Sequence, residues 1–415
     1  MSVLTDRKKI GMLVWFCALV YFVSYVSRIN LSAVLVEVIG SGFAEKHSAA
    51  LALTVCSITY GAGQIISGWL GDRFRPQNVI FVGFVITAAV NLCVGMIPDG
   101  TYLAALWAVN GFAQAFMWPP LVKILSTQLS AEEYKKGCVK VSWGSSLGTI
   151  AVYLAAPILI TTVSFRAVLL CSGLLAVTMA FLWKALYGRI AEENSGSAPA
   201  EKTEKKAAEE TQKRDDVSLS SFVLILLGFI MLAIILQGML RDGVTNWMPT
   251  LMAETFALDS SVSILTGVVL PIFSIACYQL TSWINRALIT NEVVCAGIIF
   301  FAGFTAAVLL ALLGSRSVVL SLFLLAVLVG SMHGVNLILV CMIPPFFAKY
   351  GRVSLISGII NSCTYVGSAI STYGIAVYTD RFGWVSTIYL WAVIALAGTL
   401  ICLSLGKGWR RFAKL

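Results

Sequence analysis

Residues 10–38 hold an apolar run long enough to cross a lipid bilayer, and eleven more runs of the same kind follow it. A spanning helix needs about 20 apolar residues and a spanning strand about 10. Inside hydrocarbon every backbone N–H and C=O must be paired within the protein, so runs of this length fold as helices. Spans are expected near 10–38, 48–70, 77–97, 101–126, 136–158 and 165–187, then 218–252, 259–284, 292–312, 317–348, 352–379 and 384–405. The fold expected is an all-α membrane protein of twelve transmembrane helices. Its domains are an N-terminal six-helix half (1–187), a cytoplasmic linker (188–217) and a C-terminal six-helix half (218–415).

Composition narrows the classes further. Charged residues make up 12% of the chain, about half the share of a soluble domain. Eight of the 20 acidic residues fall within 188–217, a stretch rich in Glu, Lys, Ala and Ser that reads as a flexible linker. The first run is longer than the core of a signal peptide and no small-residue cleavage site follows it, so it reads as a retained helix. The ten cysteines show no CxxC spacing and read as small buried hydrophobes, with no metal or cofactor implied. A net charge of +9 would suit nucleic acid, but Lys and Arg sit in short loops and at the termini. The positive-inside rule accounts for them, with both termini cytoplasmic and membrane lipid as the surroundings.

The chain repeats itself. "GWLGDRFR" lies between the second and third spans and "TSWINRAL" between the eighth and ninth. The offset that carries Asp72-Arg73 onto Asn285-Arg286 also carries Arg28, inside the first span, onto Arg241, inside the seventh. "WPP" (Trp118 to Pro120) and "IPP" (Ile343 to Pro345) recur in spans four and ten. Two parallel six-span repeats are the plan of transporters that bind substrate near the midplane, so the halves should be pseudo-symmetric.

An arginine facing lipid costs from about 2.5 to well above 10 kcal/mol, so intramembrane arginines face a cavity or a partner. Arg28 and Arg241 both fall about three helical turns before the end of their spans, and as a pair they suit a small oxyanion held by bidentate hydrogen bonds. Structural pairing with a carboxylate is the alternative, but Asp242 should point about 100° away from Arg241 around the helix. Tyr21 and Tyr25 precede Arg28 by seven and three residues and share its face. His333, in span ten, lies where a cavity is expected. No GxxxxGK[ST] phosphate loop occurs, and neither histidine has a nucleophile at readable spacing, which argues against ATP hydrolysis and an enzyme. Glycines inside spans, among them Gly144, Gly148 and Gly358, are expected at close helix contacts.

The loop "GWLGDRFR" resembles the GxxxDRxxxR-type motif of the major facilitator superfamily. "YVSRIN", "GFAQAFMWPP", "LRDGVTNWMPT" and "YTDRFGW" resemble the organophosphate:phosphate antiporter family of glycerol-3-phosphate and hexose-phosphate transporters. The resemblance implies that Arg28 and Arg241 bind a phosphate and that Tyr21, Tyr25 and Tyr365 line the site. It also implies that Asp72 and Arg73 gate the cytoplasmic side, through salt bridges and a helix terminus. Four positions depart from the family pattern: Gln64 and Ser145 stand for a lysine and a histidine, Ile29 for a lysine and Asn246 for an aspartate. Fewer cations give weight to a monoanionic or carboxylate substrate.

The function these readings imply is a secondary transporter in the cell membrane, moving a small organic anion by alternating access. The substrate would be a phosphate ester such as glycerol phosphate or a sugar phosphate, exchanged for phosphate as counter-anion, by a monomer. A proton-coupled symporter of a carboxylate, titrating Glu37, Asp242 or His333, is the rival. A membrane sensor on the same scaffold is the third reading.

Overall fold

The computed structural model describes residues 4–192, 220–257 and 269–414, helical nearly throughout and without a strand among them. The expected linker lies largely outside the described residues. In chain order the helices are α1 (Arg7–Ala33), α2 (Leu35–Gly40), α3 (Lys46–Arg73), α4 (Pro76–Met96), α5 (Leu103–Gln114), α6 (Trp118–Gln128), α7 (Ala131–Thr162) and α8 (Phe165–Glu192). After the break come α9 (Ser221–Phe256), α10 (Val269–Ala287), α11 (Glu292–Leu313), α12 (Val318–Asn336) and α13 (Val353–Lys414). Nine helices among the described residues are long and apolar enough to cross a membrane. The protein is a multi-pass membrane protein.

Of the twelve expected spans, eleven and twelve are counted together in α13, while α10 and the broken span four fall outside the nine. Span four is broken because Pro119 and Pro120 lack the N–H that a continuing helix would use, so α5 stops at Gln114 and α6 starts at Trp118. The second proline pair acts alike in span ten, where α12 gives way to a π-helical turn (Leu337–Met342) and a 3-10 segment (Pro344–Tyr350). Spans eleven and twelve are two helices within α13, joined at the non-helical Gly383, whose φ of 76° suits glycine. The junction falls within the break expected between 379 and 384. Span one also differs from expectation, since α1 ends at Ala33 and α2 restarts after Val34.

Two compact units form, one of Met1–Ser218 with Pro344–Ser362, the other of Leu219–Ile343 with Cys363–Leu415. In the first, α1 packs on α7 and α8, α3 on α5, and α4 on α5 and α8. Gly144 is what lets α1 and α7 touch, because a Cβ there would fall on the carbonyl oxygen of Ala18. One end of this unit closes on a core of Leu31, Val34, Val38, Phe43, Trp107 and Leu169. In the second unit α12 packs against α9, α10 and α11. Segment Pro344–Ser362 belongs to the first unit by packing, and Gly358 lies against the carbonyl oxygen of Gln64.

Candidate functional site

Arg28 lies in an aromatic cluster built by three helices. Its guanidinium carbon is 4.2 Å from the ring centroid of Tyr25 and 4.5 Å from that of Tyr60, on α3. Tyr25 stacks edge-on to Tyr21 at 5.1 Å, and Tyr21 meets Trp118 of α6 at 5.0 Å. The seven- and three-residue spacings thus place Tyr21 and Tyr25 on one face with Arg28. A ring face attracts a cation by its quadrupole, worth about 0.5–1 kcal/mol when exposed and about 2 or more when desolvated. Tyr60 and Trp118 escaped sequence reasoning because both lie in other spans, at no readable spacing from Arg28.

Arg241 has a different setting, and here one expectation is corrected. Asp242 is its partner: Nε of Arg241 donates to Oδ1 at 2.6 Å and Nη2 to Oδ2 at 2.9 Å. The 100° between adjacent Cβ atoms does not separate them, because the long arginine stem swings its fork back onto the neighbouring carboxylate. Gln237, one turn earlier on the same face of α9, donates from Nε2 to the carbonyl oxygen of Met332 at 3.1 Å. That face therefore looks onto the stretch of α12 carrying His333. His333 itself is bonded through Nδ1 to the Tyr278 hydroxyl at 2.9 Å. Tyr365 is half-buried on α13, beside Thr364, whose carbonyl oxygen abuts Gly238 of α9.

Ser145 and Gln64, which stand for the family's histidine and lysine, are both buried. The Ser145 hydroxyl is buried and donates to the carbonyl oxygen of Ser142 at 2.7 Å within its own helix. Gln64 is fully buried, its Oε1 accepting from Nδ2 of Asn361 at 3.1 Å, and its Nε2 has no hydrogen-bond partner among the described residues.

The loop motif divides its labour. Asp72 accepts from the backbone N–H of Ser354 at 3.1 Å and of Leu355 at 2.8 Å, so its carboxylate caps the first turn of α13. Nζ of Lys123, on α6, lies 3.4 Å from Oδ1 of Asp72 and donates to the carbonyl oxygen of Gly71 at 2.8 Å. The expected helix terminus is present, while the cation beside Asp72 is Lys123. Arg73 is exposed, with its guanidinium carbon 5.4 Å from the ring centroid of Trp69. Asn285, at the repeat position of Asp72, turns back to donate to the carbonyl oxygen of Ile289 at 3.0 Å.

The Major Facilitator Superfamily model matches residues 17–372. The chain belongs to the Major Facilitator Superfamily. Its twelve-helix fold is that of this superfamily. The human organic anion transporter MFSD10 has the same fold, with a TM-score of 0.72 at 13% identity over 96% of this chain and 100% of that one. Among curated relatives, the membrane sensor protein UhpC of Salmonella typhimurium is 26% identical over 265 residues, 61% of this chain and 58% of UhpC. The glycerol-3-phosphate transporter of Bacillus subtilis is 23% identical over 377 residues, 87% of this chain and 84% of that one. The chain thus spans little more than half of the sensor and most of the transporter. These relatives are of the group that the motifs around Arg28 and Arg241 resemble.

Proposed function

We propose that this superfamily member is a secondary transporter of a small organic anion, a phosphate ester such as glycerol phosphate or a sugar phosphate, exchanged for phosphate. The observation that carries the reading is Arg28, held by Tyr25 and Tyr60 in a membrane span. The match to a glycerol-3-phosphate transporter along most of the chain supports the substrate class. Arg28 serves as the constant anchor. Arg241, paired with Asp242, is a second anion-binding candidate, and Asp72 caps α13 in part of the cycle and releases it in the rest. The protein works in the cell membrane as a monomer with both termini cytoplasmic, the orientation its loop charges favour.

One observation favours a second reading. Asp242 is a carboxylate within a membrane span, paired with a cationic ligand candidate, which is what proton-coupled symport of a carboxylate would use. A thermal-shift screen of purified protein against phosphate, glycerol 3-phosphate, glucose 6-phosphate and dicarboxylates, repeated on Arg28→Ala, separates the two. Stabilisation by phosphate esters that Arg28→Ala abolishes is expected. A ligand that stabilises both proteins equally rules out Arg28 as its anchor, and a response to dicarboxylates alone selects the symport reading.

A further inference from the structure

Three asparagines far apart in sequence meet beside Arg28 in the core of the first unit. Asn30 of α1, Asn91 of α4 and Asn110 of α5 are fully buried, as is Ser27. Asn30 donates from Nδ2 to Oδ1 of Asn91 at 2.6 Å. Asn91 lies in turn 2.9 Å from the carbonyl oxygen of Thr87 and 3.4 Å from Oδ1 of Asn110. Asn91 and Asn110 both direct Nδ2 at the carbonyl oxygen of Ser27, at 3.3 and 3.1 Å. The N–H of Leu31 donates to Oδ1 of Asn30 at 2.9 Å. The Ser27 hydroxyl reaches the carbonyl oxygen of Ser172 on α8 at 3.3 Å.

We infer that Asn30, Asn91 and Asn110 are positioning residues for the anion site, holding the Ser27–Arg28 peptide in place. The Ser27 carbonyl belongs to the same rigid peptide plane as the Arg28 nitrogen, so two amides from α4 and α5 fix the direction in which the Arg28 side chain leaves the helix. Tyr25 and Tyr60 hold its far end. Packing alone gives no reason to set three amides there, since interhelical hydrogen bonds in membrane proteins average only about 0.6 kcal/mol, whereas a buried amide left unpaired costs about 1–3 kcal/mol. Geometry is what such a network supplies: α1 is tied to three neighbours at the residue that precedes the guanidinium. The inference rests on the reading of Arg28 as anion anchor.

The test is a double-mutant cycle on purified full-length protein, with glycerol 3-phosphate as probe and binding read separately from melting temperature. Asn91→Leu and Asn110→Ala are made one at a time, so that misfolding of either leaves the other, with Asn110→Ser as the conservative rescue. Each is combined with Arg28→Lys, which keeps a charge and measurable binding. Expected are about tenfold weaker binding in Asn91→Leu and Asn110→Ala, recovery in Asn110→Ser, and no further loss when either is added to Arg28→Lys. A lower melting temperature with unchanged affinity, or equal losses in both backgrounds, would make the cluster merely structural and overturn the inference. If Arg28→Lys alone binds like the wild type, the anchor reading fails first and the inference falls with it.

Discussion

A guanidinium in a bilayer is tolerable only with company, and the two intramembrane arginines have found different kinds. Arg28 keeps aromatic faces, which partly offset its charge, while Arg241 is closed by the carboxylate beside it. The difference makes two residue-level predictions. Tyr60→Phe preserves the ring and should bind glycerol 3-phosphate within about twofold of wild type, whereas Tyr60→Leu should lose about tenfold, the equivalent of about 1.4 kcal/mol. Asp242→Asn frees the second fork and should tighten binding severalfold while slowing turnover; weaker binding would show that Asp242 orders Arg241 rather than competing for it. Arg28 was legible in the sequence because a charge in an apolar run is conspicuous, and Arg241 because the repeat points to it. Tyr60, Lys123 and the asparagine cluster were not legible: their neighbours come from other spans, and spacing along one helix carries no information across helices.

Elements respond to their ends and their thin places. Asp72 reaches the first turn of α13, where a carboxylate cap is worth about 0.5–2 kcal/mol. Asp72→Ala should cut the rate of transport severalfold and leave the Kd for glycerol 3-phosphate within about twofold, as measured by uptake and by equilibrium binding. A parallel loss of affinity would move Asp72 from gate to site. Gly144 admits α1 to α7, so Gly144→Val should lower the melting temperature by several degrees, overpacking of a tight contact costing about 1–3 kcal/mol. Element types were readable from apolar run length, whereas the proline pairs were read only as a repeat and the breaks they make in spans four and ten were not anticipated. The break at Val34 was not readable, since nothing in "NLSAVLVEV" is a helix breaker. There the chain turns where α2 can seat Val34 and Val38 in the core with Trp107 and Phe43. Tertiary packing overrode a sequence that would have continued as one helix.

Across the full chain, the superfamily's architecture admits both transporters and a membrane sensor, and relatives of both kinds share this sequence. Binding experiments alone do not part them, since a sensor also needs an anchored anion. Movement of the ligand does. The most direct measurement is uptake of labelled glycerol 3-phosphate into proteoliposomes holding the purified protein, loaded inside with inorganic phosphate or with chloride, for wild type and Arg28→Ala. Saturable uptake that requires internal phosphate and vanishes in Arg28→Ala is the expected result. Binding without uptake, or uptake indifferent to both internal phosphate and Arg28, would contradict the account.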